Sequence, residues 1–182
     1  MRSVADFYQD CISAVGQQPP LDVQLPDAVG CVLAEDVEAP FNLPVADLAA
    51  CDGYAVAAAD LEGARPDAPV VLPVTEEIRA GDIHPAALIR GRAIRIASGA
   101  PMPQGADAVL ALEFSDHGIS KVSAKTQPAV GENIRRKAED VEEGTVVLRA
   151  GTRVGARQVA LLAGVGRSRV LVHPSPRVVI LS

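Results

Sequence analysis

Short valine-rich runs cut by glycine and proline restrict the fold of this chain more than any other feature. The 182 residues hold 15 glycines and 14 prolines, and β-branched runs between such breaks favour strands over long helices. Tryptophan is absent and aromatic residues make up 3% of the chain, so Val, Leu, Ile and Ala must build the core. A chain of this length forms one or two domains and buries roughly 70% of the surface its unfolded form exposes.

A formal charge of −6 gives no general attraction for nucleic acid or anionic lipid, so any anion site must be local. Cys11, Cys31 and Cys51 contain no CxxC pair, and three cysteines cannot complete a disulfide framework. Buried free thiols in a reducing cytoplasm are the expected state. His84, His117 and His173 sit in loop-like contexts without metal-ligand spacing, and no metal ligand is assigned. The N-terminal MRSVADFYQDC carries acids where a signal peptide needs an apolar stretch, and no run approaches the roughly 20 apolar residues of a membrane span. The expectation is a soluble, cytoplasmic chain.

Val4, Phe7, Tyr8, Cys11, Ile12 and Val15 recur at helical spacing, with Ser3 as N-cap, Asp6 in the first turn and Gly16 as the stop. This apolar stripe needs a partner, either the rest of the fold or a second subunit. Asp27 to Glu35 has helical character, and Asp36 to Ala39 reads as extended. Strands are expected at Tyr54–Val56, Pro69–Val74, Ile78–Asp82, Ala93–Ser98, Ala108–Phe114, Gly118–Ala124, Thr145–Leu148 and Ser168–Val172, with a short helix at Ala156–Ala163. Ile94 and Ile96 share one face and Arg95 takes the other. Ala93–Ser98 and Ala108–Phe114 flank a Pro/Gly loop, which suggests neighbours in one sheet. The last segment, Val178 to Ser182, is an apolar run of the parallel-sheet kind with no crossover after it, so the sequence is expected to stop just inside another domain.

Three places could carry chemistry. Leu43 to Val56 reads LPVADLAACDGYAV, and Asp52-Gly53 is either an ordinary turn or a carboxylate brought close to a ligand. Asn133 to Asp140 reads NIRRKAED, a basic cluster that is either a local anion site, since Arg forks match phosphate or carboxylate, or a solvated turn of internal ion pairs. Ser98-Gly99-Ala100-Pro101 follows a strand, where a hydroxyl and a glycine N–H bind an oxyanion or simply turn the chain. No Walker loop, GxSxG or HExxH is present.

Taken together, LP…DGYAV, IRIASGAPMPQGADAVL, GENIRRKAEDV and LRAGTR followed by a short helix and RVVILS resemble, in order and spacing, the N-terminal half of the molybdopterin molybdenumtransferases, the MoeA and gephyrin E-domain family. The resemblance runs over most of the chain. It implies an α+β, elongated, multi-domain protein: an N-terminal helix (1–20), a discontinuous domain I (21–45 and 141–174), a β-rich inserted domain II (46–140), and in 175–182 the first strand of an α/β domain III. It implies a homodimeric enzyme that inserts molybdate into adenylylated molybdopterin and releases AMP with a divalent cation, Mg2+. Its site lies between the third domain of one subunit and the second of the other, so residues 1–182 alone are expected to be inactive. By the same resemblance Asp52 and Asp140 are the catalytic carboxylates. Ser98, Gly99, Arg135 and Arg136 contact the substrate anion, and Asp52 or Asp140 binds a cation or orients water. The family usually reads DNSAMDGYA and RRxGED. Here Leu48 and Ala49 replace the polar Asn and Ser, and Ala138 stands at the glycine. Those apolar replacements motivate the alternative: a gephyrin-like scaffold that binds a tubulin-like filament protein without catalysis.

Overall fold

The computed structural model describes residues 2–83, 87–176 and 178–181. The chain runs α1 (Val4–Ser13), β1 (Leu21–Gln24), β2 (Val32–Leu33), β3 (Val37–Glu38), β4 (Leu48–Ala49), β5 (Gly53–Val56), β6 (Val70–Ile78), β7 (Ala93–Ile96), β8 (Ala108–Ala111), β9 (Lys121–Ala124), β10 (Ile134–Arg135), β11 (Val146–Leu148), α2 (Ala156–Gly164) and β12 (Arg169–His173). The fold is α+β and strand-rich. It divides into two compact units, residues 1–41 with 143–182, and residues 42–142.

In the discontinuous unit, β12 lies between β1 and β2, antiparallel to both, and β3 pairs with β11. Leu25, Leu33, Val37, Val154, Leu162, Val170 and Val172 form its core, with Leu162 on α2 as the helical contribution. The expected helix over Asp27–Glu35 does not form. Pro26 opens a single 3-10 turn, Leu25–Ala28, and Gly30 at φ 87° enters the left-handed region that stops a helix before β2 begins.

Helix α1 starts as read. The Ser3 hydroxyl accepts the Asp6 N–H (3.1 Å), and the Ser3 N–H donates to the Asp6 carboxylate (3.3 Å). It ends at Ser13, before Gly16, and none of its residues is buried. Val4, Phe7, Tyr8, Ile12 and Val15 are all exposed, so the described residues of this chain do not cover the stripe. The thiols are free but not buried as expected: Cys11 is exposed on α1, and Cys31 and Cys51 are half-buried. The expected strand at the C-terminal end is also not formed within the described residues. Val178 to Leu181 have no regular structure and are exposed, since a strand needs a neighbour for its backbone groups and none pairs with them. Ser182, the end of that run, and Arg177 before it lie outside the described residues.

The unit of residues 42–142 is built on a five-stranded sheet in the order β8-β5-β7-β6-β9. All pairings are antiparallel except β6 with β7. The alternation expected at β7 holds: Ile94 and Ile96 join Ala55, Ala57, Ile78 and Val109 under one face, while Ala93 joins Tyr54, Val56, Leu72, Leu110 and Val122 under the other. All four residues of β5 are buried because both faces are covered. Two expectations change here. Pro69–Val74 and Ile78–Asp82 are not separate strands: most of that span is the nine-residue β6. β7 and β8 share the sheet but are not neighbours, because β5 lies between them and pairs with both.

Candidate functional site

Three segments separated in sequence meet on the two-residue strand β4 in the unit of residues 42–142. On one side, Leu48 bridges Pro101, the Ala49 N–H donates to the Ala100 carbonyl (2.9 Å), and the Gly99 N–H donates to the Ala49 carbonyl (2.8 Å). On the other side β4 pairs with β10 in the register Leu48↔Arg135 and Ala49↔Ile134. Beyond β4, a bend over Ala50–Asp52 leads into β5, with the Ala50 N–H on the Asn133 carbonyl (2.8 Å). The DGYA, SGAP and NIRRKAED stretches are therefore one constellation.

Asp52 ends the bend and is exposed; Gly53 already belongs to β5. Gly53 is not at positive φ, so the Asp-Gly turn read from sequence is not what demands glycine. A Cβ at Gly53 would collide with the Leu110 carbonyl oxygen of β8, so close strand approach is the reason. The Asp52 Oδ1 accepts the Ser98 N–H (2.7 Å), and among the described residues no donor reaches its Oδ2. Ser98 directs its hydroxyl to the Ala50 carbonyl (3.3 Å). Since Asp52, Ala49 and the Ala97 carbonyl occupy the N–H groups of Ser98, Gly99 and Ala100, the loop offers an oxyanion little beyond the Ser98 hydroxyl.

In the basic-acidic segment the charges are largely matched by the segment's own carboxylates and by Asp47. Arg135 Nη2 donates to Asp140 Oδ2 (2.5 Å), and Arg136 Nη1 to Asp47 Oδ2 (2.7 Å). The Arg136 N–H donates to Glu139 (2.8 Å) and the Lys137 N–H to Asp47 Oδ1 (2.8 Å). The Lys137 N–H, chiefly, and the Arg136 guanidinium hold the Asp47 carboxyl below its ordinary value, against its partial burial. The segment is further tied by Ala138 N–H to the Pro44 carbonyl (3.0 Å) and Asp140 N–H to the Leu43 carbonyl (2.9 Å). Asn133 (φ 57°) and Ala138 (φ 65°) are in the left-handed region; the Asn133 amide nitrogen donates to the Val109 carbonyl (2.9 Å).

A cavity of about 110 Å³ adjoins Asp52, lined by Asp52, Gly53, Glu77, Arg95, Ala97 and Leu112 among others. Arg95 and Glu77, in register across β7 and β6, contribute to it. Sequence reading placed Arg95 opposite Ile94 and Ile96 but assigned no site role to Arg95, Glu77 or Asp47. Alternation alone could place Arg95 off the apolar face, but nothing local ties Asp47 to a segment 89 residues away. Burial, with the charges of Glu113, Asp52 and Glu132, pushes the half-buried Cys51 thiol up and makes it a poor nucleophile. The His117 backbone N–H donates to the Ser115 hydroxyl oxygen, and His173 is engaged by Gln17 and Gln18. His84 lies outside the described residues.

Among the described residues no group of three His, Cys, Asp or Glu side chains is placed to hold a metal ion. Asp140 is engaged by Arg135. The described residues do not on their own fit a Mg2+ site. No described helix is long and apolar enough to cross a membrane.

Residues 2–166 match the model of the MoeA N-terminal region (domain I and II). "Molybdopterin molybdenumtransferase 2" of Mycobacterium tuberculosis is 42% identical over 182 residues, covering 100% of this chain and 45% of that protein. The molybdopterin molybdenumtransferase of Bacillus subtilis is 38% identical over 164 residues, covering 88% of this chain and 38% of that protein. The crystal structure of a molybdopterin biosynthesis MoeA protein from Pyrococcus horikoshii superimposes with a TM-score of 0.80 at 32% identity, over 92% of this chain and 43% of that one. The chain spans less than half the length of these relatives.

Proposed function

The chain belongs to the MoeA N-terminal region family, and on that premise we propose that it forms one wall of a molybdenum-insertion site in molybdenum cofactor biosynthesis. The parent is a cytoplasmic molybdopterin molybdenumtransferase that transfers molybdate to adenylylated molybdopterin and releases AMP. Residues 21–45 with 141–174 serve as domain I and residues 46–140 as domain II. An α/β third domain, entered through residues 175–182, supplies the opposite wall from the partner subunit of a homodimer.

The observation that carries this reading is the convergence of the Asp52, Ser98 and Arg135 segments on β4. Asp52, with one oxygen fixed by the Ser98 N–H and the other open, orients water or a substrate proton donor. Arg135, paired with Asp140, and the Ser98 hydroxyl, on leaving the Ala50 carbonyl, bind the phosphate or molybdate oxygens. The scaffold alternative drew on Leu48 and Ala49. Ala49 is buried in the apolar cluster with Ile94 and Ile96, so packing accounts for its character, and no observation favours a filament-protein partner over the enzyme.

Expression of the natural gene in a strain lacking molybdenum insertion tests the reading. Restored molybdoenzyme activity that is lost with Asp52→Asn supports it. Soluble expression without restoration would sink it in favour of the scaffold. Turnover by purified residues 1–182 alone would refute the one-wall assignment.

A further inference from the structure

Asp47, the first residue of the DLAACDGYA stretch and given no role by sequence reading, holds the basic-acidic segment in place. It stands immediately before β4, and its carboxylate is used at both oxygens: Oδ1 takes the Lys137 N–H (2.8 Å) and Oδ2 the Arg136 guanidinium (2.7 Å). The neighbouring pair Leu48↔Arg135 fixes the same segment one residue further on. Without Asp47, the turn over Arg136–Asp140 keeps the backbone bonds of Ala138 and Asp140 but loses the carboxylate that ties down Arg136 and Lys137. An exposed ion pair contributes little to stability. The backbone N–H bond to a carboxylate, by contrast, fixes position, and a site loosened by an ångström loses rate.

We infer that Asp47 is a positioning residue of the molybdenum-insertion site, acting through the Arg136–Lys137 backbone to set the place of Arg135. The inference rests on the reading of Arg135 as a substrate-facing group. Asp47→Ala removes both bonds; Asp47→Asn keeps an acceptor for the Lys137 N–H and drops the charge. In the full-length enzyme, Asp47→Ala is expected to lower kcat/KM for molybdate insertion about thirtyfold and Asp47→Asn about threefold, since the backbone bond does most of the positioning. In an Arg135→Ala background, Asp47→Ala should cost no more than about twofold further, because the group it positions is gone.

Hydrogen exchange provides a readout independent of turnover: in Asp47→Ala the Lys137 amide should lose protection while the Ala49 and Ala50 amides of the β4 region keep theirs. An Arg135→Ala enzyme with unchanged kcat/KM would defeat the underlying site reading and, with it, this inference. An impaired Arg135→Ala with either full activity in Asp47→Ala or additive losses in the double variant would overturn the inference. Uniform loss of protection across β4 would mark Asp47 as merely structural and overturn it as well.

Discussion

The two loops that flank β4 carry their carboxylates in opposite ways. Asp52 receives one backbone donor and leaves an oxygen open, exposed on the bend that leads into a strand whose every residue is buried. Asp47, Glu139 and Asp140 are each engaged by an arginine or lysine group of the NIRRKAED segment, on a surface turn. A rigid mount with an unsatisfied carboxylate suits chemistry. A turn whose arginines are each paired with a carboxylate suits shape, and those arginines are already oriented when a ligand arrives. Motif richness in sequence therefore overstates the second loop and understates the first.

The comparison can be broken most severely at its mount. Gly53→Ala drives a Cβ into the Leu110 carbonyl, backbone against backbone, and should destabilise the 42–142 unit by about 3 kcal/mol or more, read as a lower urea midpoint. A midpoint within error of the parent would show that β5 and β8 are less closely apposed than described. Next, Asp52→Asn should lower molybdate insertion by the full-length enzyme about a hundredfold. Asp140→Asn should lower it only about tenfold, the loss of one charge-assisted hydrogen bond to Arg135. Equal losses in steady-state rate would erase the distinction between the loops.

A smaller effect sharpens the picture of the surface turn. Ala138 stands at φ 65°, where a side chain is strained, so Ala138→Gly should stabilise the chain by about 0.5–1 kcal/mol, measured by denaturant unfolding. The smallest effect concerns pH. The Asp47 carboxyl is held low in the folded state, so its contribution to stability is present above the ordinary carboxylate value of about 4 and is lost as pH falls through its lowered value. Protection of the Lys137 amide should therefore decline in that acid range in the parent and stay flat in Asp47→Asn.

Local devices were legible in the sequence. The Ser3–Asp6 cap, the Ile94/Ile96 face and α2 each depend on residues a few positions apart. What required the structure was long-range: β5 inserted between β7 and β8, Asp47 reaching Arg136, and the Leu110 carbonyl that demands Gly53. The helical pattern over Asp27–Glu35 misled because Gly30 overrides apolar spacing once it takes a positive φ. Within the candidate site, residue types and order were readable, but which carboxylates remain open was not. That depends on backbone donors that carry no side-chain signature.

The chain has no tryptophan and only two tyrosines, and they sit in contrasting places. Tyr8 is exposed on α1, whereas Tyr54 is fully buried in β5 with its hydroxyl donating to the Gly118 carbonyl (2.9 Å). Burial pushes the Tyr54 phenol up. The protein thus contains its own optical reporter. In a Tyr8→Phe background, near-ultraviolet dichroism and tyrosine emission come from Tyr54 alone, and unfolding of the sheet that carries Asp52 can be followed without a label.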